Sequence, residues 1–109
     1  AQLILPHATP NSDPSWFGFP LTLRDGCGVE RLDLLRHLDA QKVGTRLLFA
    51  GNLTRQPYMK DQQYRVASDL TVTDKIMKDT FWVGLWPGLG EDHLEHVAGS
   101  IEAYVRRLR

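Results

Sequence analysis

The residue pattern predicts a two-layer α+β domain: a small, mostly antiparallel sheet with helices packed on one face. Phe17, Phe19, Leu21 and Leu23, and again Phe81, Val83 and Leu85, alternate with other residues at the period of a half-buried strand. Two further segments, 29–42 and 91–108, carry one apolar stripe each at helical spacing, and a single stripe demands one-sided packing. The chain has 109 residues, enough for one core.

Taken in order, residues 6–15 hold three prolines (Pro6, Pro10 and Pro14) among turn formers, so residues 1–15 read as a linker and 16–109 as the domain. The first strand spans 16–23, and Pro20 removes one ladder donor, which makes it an edge or an irregular strand. Arg24 to Gly28 is a turn. The first helix covers 29–42 through Leu32, Leu34, Leu35 and Leu38, and Gly44 is placed to take the left-handed conformation that closes it. A second strand covers 46–50. Residues 51–70 show no period and form a long loop, the kind that carries function or motion. Thr73 reads as the N-cap of a short helix ending at Asp79, with Asp74 in its first turn and Val72 set to pack on Met77. The third strand spans 81–86 and stops at Pro87-Gly88. The last helix runs along Leu94, Val97, Ala98, Ile101, Val105 and Leu108, with acids at its start and arginines at its end, as the helix dipole prefers.

Composition removes several function classes. Thirteen basic residues balance thirteen acidic ones, so nucleic acid is not an expected partner. No apolar run is long enough to span a membrane, and Leu3-Ile4-Leu5 is too short for a signal peptide. One cysteine, Cys27, makes no internal disulfide and fits a cytoplasmic protein. His7, His37, His93 and His96 lack metal-ligand spacing, and His93 and His96 read as a solvated helix face. Cys27 has no neighbouring histidine to make it a nucleophile, and no phosphate-binding, dinucleotide or nucleophile-elbow motif occurs. Trp16, Trp82 and Trp86 read as core and edge aromatics rather than a stacking platform. A free-standing enzyme is not indicated; the chain reads as one domain of something larger.

The densest chemistry lies in Gly44 to Tyr58. An arginine heads the apolar Leu47–Ala50 run, which leads into a glycine-led loop with an amide, a hydroxyl, a second arginine, another amide, a proline and a tyrosine. Fixed positive charges beside neutral donors suit an anion flanked by hydroxyls, such as a sugar phosphate. The competing reading is a surface loop whose arginines pair with carboxylates on nearby helices.

Three stretches together, Pro14 to Pro20, Gly44 to Tyr58, and Thr73 to Met77 with Phe81 to Leu89, resemble the C-terminal small domain of the CDP-4-keto-6-deoxy-D-glucose 3-dehydratases. These enzymes build 3,6-dideoxyhexoses for lipopolysaccharide O-antigen and belong to the DegT-type sugar aminotransferase family. The resemblance implies a fold type I vitamin-B6 enzyme with pyridoxamine phosphate, a two-iron two-sulfur cluster and a flavin/iron–sulfur reductase as electron donor. It implies a homodimer, a nucleotide-sugar substrate, and a large domain holding the cofactor, the cluster and the catalytic residues, so that none of these is assigned to this chain and the 109-residue piece alone is expected to be inactive and cofactor-free. In that setting Arg46, Asn52, Arg55 and Tyr58 are expected to face the active-site cleft as substrate-binding residues, with no metal ligand in the chain.

Sugar aminotransferases of this type often carry Pro-Leu-His-x-Gln-Pro where this chain has Asn52-Leu53-Thr54-Arg55-Gln56-Pro57. Thr54 at the histidine position points to the dehydratase branch. An aminotransferase domain, decided by the Schiff-base residue upstream, and a stand-alone α+β ligand-binding or assembly module are the alternatives. The exposed Leu3-Ile4-Leu5 expected at the start argues against the module.

Overall fold

The computed structural model describes residues 2–107. Its elements run Leu3–Ile4 (β1), Gly18–Leu23 (β2), Arg31–Ala40 (α1), Thr45–Leu47 (β3), Thr71–Asp79 (α2), Thr80–Gly84 (β4) and Glu91–Arg106 (α3). Single turns of 3-10 helix cover Leu53–Arg55 and Pro57–Met59. All strands form one antiparallel sheet in the order β1-β2-β4-β3.

Pairing of β2 with β4 sets Phe19 opposite Val83 and Leu21 opposite Phe81. Those side chains share one face, because alternate strand residues point the same way. Leu34 and Leu38 of α1 cover that face, one helical turn apart, and Phe81, Leu34 and Leu38 are fully buried. Val97, Ile101, Tyr104 and Val105 of α3 pack against the same cluster. The expected α+β architecture, with the first and last helices on one side, is therefore the observed one. The two helices are also joined by histidines: His37 Nε2 donates to the Ser100 carbonyl at 3.0 Å and His96 Nε2 to the Gln41 carbonyl at 2.8 Å. His93 Nδ1 accepts from the Gly90 N–H at the start of α3. The helix-face histidines thus cap and join helices rather than only facing solvent.

Several expected boundaries move. β1 has no sequence signal; Leu3 and Ile4, within the lead-in, pair with Leu23 and Thr22. β1 reaches no further than Thr22, so at Pro20 β2 has no neighbour on that side and the missing N–H breaks no ladder there. β2 begins at Gly18 rather than residue 16, leaving Phe17 outside the ladder and 81% exposed. β4 starts at Thr80 and ends at Gly84, short of the expected residue 86. Helix α1 is shorter than 29–42, and Leu32, placed in its stripe, is 59% exposed. Its closure falls at Lys42, not Gly44. Lys42 has φ 64°, its N–H donates to the Asp39 carbonyl, and the Val43 N–H donates to the Leu38 carbonyl. This is the Schellman arrangement, with Val43 and Leu38 both in the core. Helix α2 begins at Thr71, two residues before the expected cap; Asp69 Oδ1 accepts the Thr71 N–H. Val72 is exposed rather than packed on Met77. The end of the expected 91–108 helix reaches Leu108, outside the described residues.

Two long side chains fasten α2 to the sheet. Arg31 Nη1 donates to the Met77 carbonyl at 2.6 Å and to the Thr80 carbonyl at 3.0 Å, closing the end of α2. Lys75 Nζ donates to the Leu23 carbonyl, Asp25 and Asp79, and the Asp25 and Asp79 carboxylates hold its ammonium above the usual lysine range. The sheet itself is stitched by the Thr22–Thr80 hydroxyl pair at 2.8 Å.

Lys42→Gly is expected to raise the unfolding free energy by about 0.5–1 kcal/mol, because glycine occupies the left-handed region without a Cβ clash. A denaturation midpoint that stays put or falls refutes this. Arg31→Ala is expected to cost about 1–3 kcal/mol by leaving two half-buried carbonyls without their charged donor; equal midpoints for the variant and the parent would show that water replaces the guanidinium.

Candidate functional site

The sheet face turned away from α1 and α3 carries the even-numbered residues of β2 and β4: Gly18, Pro20, Trp82 and the paired Thr22 and Thr80. Gly18 matters here because a Cβ at that position would lie 2.4 Å from Cε3 of the Trp82 indole. The ring is thus free to lie over the strand backbone. Phe17 lies tilted against it with centroids 5.1 Å apart, and Phe49 meets it edge-on at 5.7 Å. Arg46 is the cross-strand partner of Trp82. Phe17, Arg46, Leu47, Phe49 and Trp82 line a concavity of about 370 Å³. The shielded Trp82 indole N–H has no partner among the described residues.

Strand β3 is shorter than the expected 46–50 because the chain turns out of the ladder at once. The Phe49 N–H donates to the Leu47 carbonyl, and Phe49 adopts φ 46°, a left-handed conformation unusual for a bulky residue. This strained turn throws the Phe49 ring, 84% exposed, onto Trp82. Gly51 follows at φ 65°, where a Cβ would lie 2.4 Å from Met77 Cγ, so the loop backbone rests directly on α2.

The loop beyond Gly51 is organised by one carboxylate. Asp74, in the first turn of α2, accepts from Arg55 through both oxygens: Nε donates to Oδ1 at 2.5 Å and Nη2 donates to Oδ2. Asn52 Nδ2 donates to the same Oδ1 at 2.8 Å. Asn52 Oδ1 in turn accepts the Thr54 N–H and hydroxyl, and the Asn52 N–H donates to Met77 Sδ at 3.3 Å. Gln56 Nε2 closes the turn on the Ala50 carbonyl. The Arg55 and Asn52 hydrogen bonds lower the Asp74 carboxyl from its ordinary 3.8 to about 2, and Asp74 raises the Arg55 guanidinium. A carboxylate depressed in the folded state adds stability above its unfolded value, lost as pH falls toward 2, so this bracket does not switch near neutrality.

The four expected binding residues therefore divide. Asn52 and Arg55 meet on Asp74; Asn52 is buried, its amide committed to the loop, while the Arg55 side chain remains 60% exposed. Arg46 lies on the aromatic face, the only side-chain hydrogen bond it makes among the described residues going to the adjacent Thr45 carbonyl. Tyr58 is exposed in the second 3-10 turn. The sequence reading missed three features. From the residue pattern Asp74 is a first-turn charge, Phe49 belongs to a strand although the unbroken Leu47–Ala50 run does not alternate, and Trp82 counts among the core and edge aromatics. Among the described residues no group of three His, Cys, Asp or Glu side chains is arranged to hold a metal ion. No described helix is long and apolar enough to cross a membrane.

The chain is 56% identical over 102 residues to the lipopolysaccharide biosynthesis protein RfbH of Salmonella typhimurium, covering 94% of this chain and 23% of that protein. It is 45% identical over 105 residues to a dTDP-4-dehydro-2,6-dideoxy-D-glucose 3-dehydratase of Saccharopolyspora spinosa, covering 96% of this chain and again 23% of the relative. The chain thus spans about a quarter of the length of these relatives. The fold matches an E. coli GDP-4-keto-6-deoxy-D-mannose-3-dehydratase structure with bound hydrated PLP, at TM-score 0.70 and 23% identity, over 98% of this chain and 25% of that one. Residues 1–102 match the DegT/DnrJ/EryC1/StrS aminotransferase family, and the chain belongs to it.

Proposed function

We propose that this chain is the C-terminal small domain of a nucleotide-sugar 3-dehydratase dependent on pyridoxamine phosphate and an iron–sulfur cluster. Its substrate is CDP-4-keto-6-deoxyglucose, on the route to the 3,6-dideoxyhexoses of O-antigen, in the cytoplasm. The observation that carries the reading is the Asn52–Pro57 loop. It has Thr54 where sugar aminotransferases often carry histidine, and the Arg55 that follows is paired with Asp74 at its rim. The names borne by the relatives, sugar 3-dehydratase and lipopolysaccharide biosynthesis protein, support it.

When bound, the cofactor supplies the electron sink that lets the 3-hydroxyl leave, and the cluster relays electrons from a flavin/iron–sulfur reductase. Neither group belongs to this chain. A two-iron two-sulfur cluster takes four protein ligands, and Cys27 is the sole cysteine. The remaining three quarters of the protein, a large domain in a homodimer, holds them. The work of this chain is to bind and orient. Arg46 and Arg55 offer guanidinium groups to phosphate oxygens, and Tyr58 offers a hydroxyl. Asn52 serves the same site from within, fixing the backbone that carries Arg55. Phe17 and Phe49 stand exposed beside the half-buried Trp82, and this aromatic face suits contact with that large domain.

Purified full-length protein, supplied with pyridoxamine phosphate, the reductase and CDP-4-keto-6-deoxyglucose, is expected to yield a product lacking the 3-hydroxyl by mass spectrometry. A glutamate-dependent amino sugar instead would assign it to the transaminating branch and overturn the proposal. Arg55→Ala in that protein is expected to weaken substrate binding about tenfold or more, the loss of one charge-assisted hydrogen bond. Arg55→Lys is not expected to restore it, because an ammonium lacks the planar fork. Titration calorimetry reads both, and unchanged affinity in Arg55→Ala removes the residue from the site.

A further inference from the structure

We infer that Asp74 is a positioning residue for substrate binding. It holds Arg55 side-on, so that the end-on edge of the guanidinium is presented, already oriented, to an anionic oxygen of the nucleotide sugar. The inference rests on the binding role proposed for Arg55.

The geometry of the pair divides the arginine into a used and an unused half. The carboxylate takes Nε–H and one N–H of Nη2. Arginine has five N–H donors, so about three, those of Nη1 and the second of Nη2, remain uncommitted among the described residues. These form the end-on fork that matches two oxygens of a phosphate. Asp74 itself cannot wander. Helix α2 runs without a break into β4, its end is closed by Arg31, and Lys75 ties it to the end of β2. The pair joins residues 19 apart in sequence, and the intervening segment 60–70 is nearly all exposed. The position of Arg55 is therefore inherited from the helix and the sheet, through Asp74. An arginine held this way has given up its rotamer freedom before the ligand arrives.

Charge alone predicts the reverse. A carboxylate beside Arg55 lowers the local positive potential, so its removal should favour an anion if potential governs affinity. The two effects have opposite signs, which makes the inference testable in the full-length protein with CDP-4-keto-6-deoxyglucose. Asp74→Asn keeps the shape but loses the charge and presents an amide where the fork needs an acceptor. It is expected to raise KM about fivefold to tenfold while kcat stays within about twofold. In the Arg55→Ala background the same change is expected to move KM less than about twofold, since the substituted amide oxygen can still accept from Asn52 and only the Arg55 contact is lost. Asp74→Glu, which retains the charge, is expected to recover part of the loss.

A purely structural role would make the Asp74→Asn effect as large without Arg55 as with it. A lowered or unchanged KM in Asp74→Asn, alongside a raised KM in Arg55→Ala, overturns the positioning role and leaves the binding role standing. An unchanged KM in Arg55→Ala overturns both.

Discussion

The β2–β4 register is the constraint from which the rest of the molecule follows. With Leu21 opposite Phe81, the pleat sends Phe81 into the helices and Trp82 to the far side. A slip of one residue would exchange the two sets, burying an indole and a proline against α1 while exposing the core phenylalanine. Nothing local forbids that slip, because both residues are aromatic and both favour strands. What forbids it is fit. Leu34 and Leu38 meet Phe81 without residual exposure, and Gly18, diagonal to Trp82 across the strands, leaves room for the indole ring.

The same register carries the loop. β4 continues directly from α2, so fixing the strand fixes Asp74 on the helix. Asp74 then gathers Asn52 and Arg55, and the strained turn at Phe49 delivers the chain to them. A segment from 48 to 59 with few buried side chains is thereby placed by contacts at its base alone. Its outward residues remain free to serve a ligand.

Periodicity made the sheet, the first and last helices and the single core legible, because burial leaves a repeat in the sequence. Leu34 and Leu38, or Phe19 and Leu21, recur at spacings that only one kind of element satisfies. Short or strained pieces leave no repeat. β1 is two residues long and exists because the edge of β2 was vacant beside Leu23 and Thr22. Lys42 takes a conformation that its own chemistry disfavours, and Gly44, the better candidate by type, comes two residues too late for the bonds that the Asp39 and Leu38 carbonyls accept. At the site, the loop between Gly44 and Tyr58 stood out by its arginines and amides. The partner of Arg55 did not, because Asp74 lies nineteen positions away and looks like an ordinary helix-start acid. The two readings of that loop, ligand site or ion pair, are not exclusive: one half of a guanidinium can satisfy each.

Met77 gives the loop a chemical vulnerability that the core does not share. Its thioether sulfur accepts the Asn52 N–H, and its Cγ occupies the space that a side chain on Gly51 would need. Oxidation to the sulfoxide would add a polar oxygen at the point where loop backbone and helix touch most closely. The hydrophobic cluster of Leu34, Leu38 and Phe81 has no part in that contact. Oxidative damage at this one atom would therefore loosen the Asn52–Arg55 loop while the domain stayed folded, and reductive repair of the sulfur would restore it.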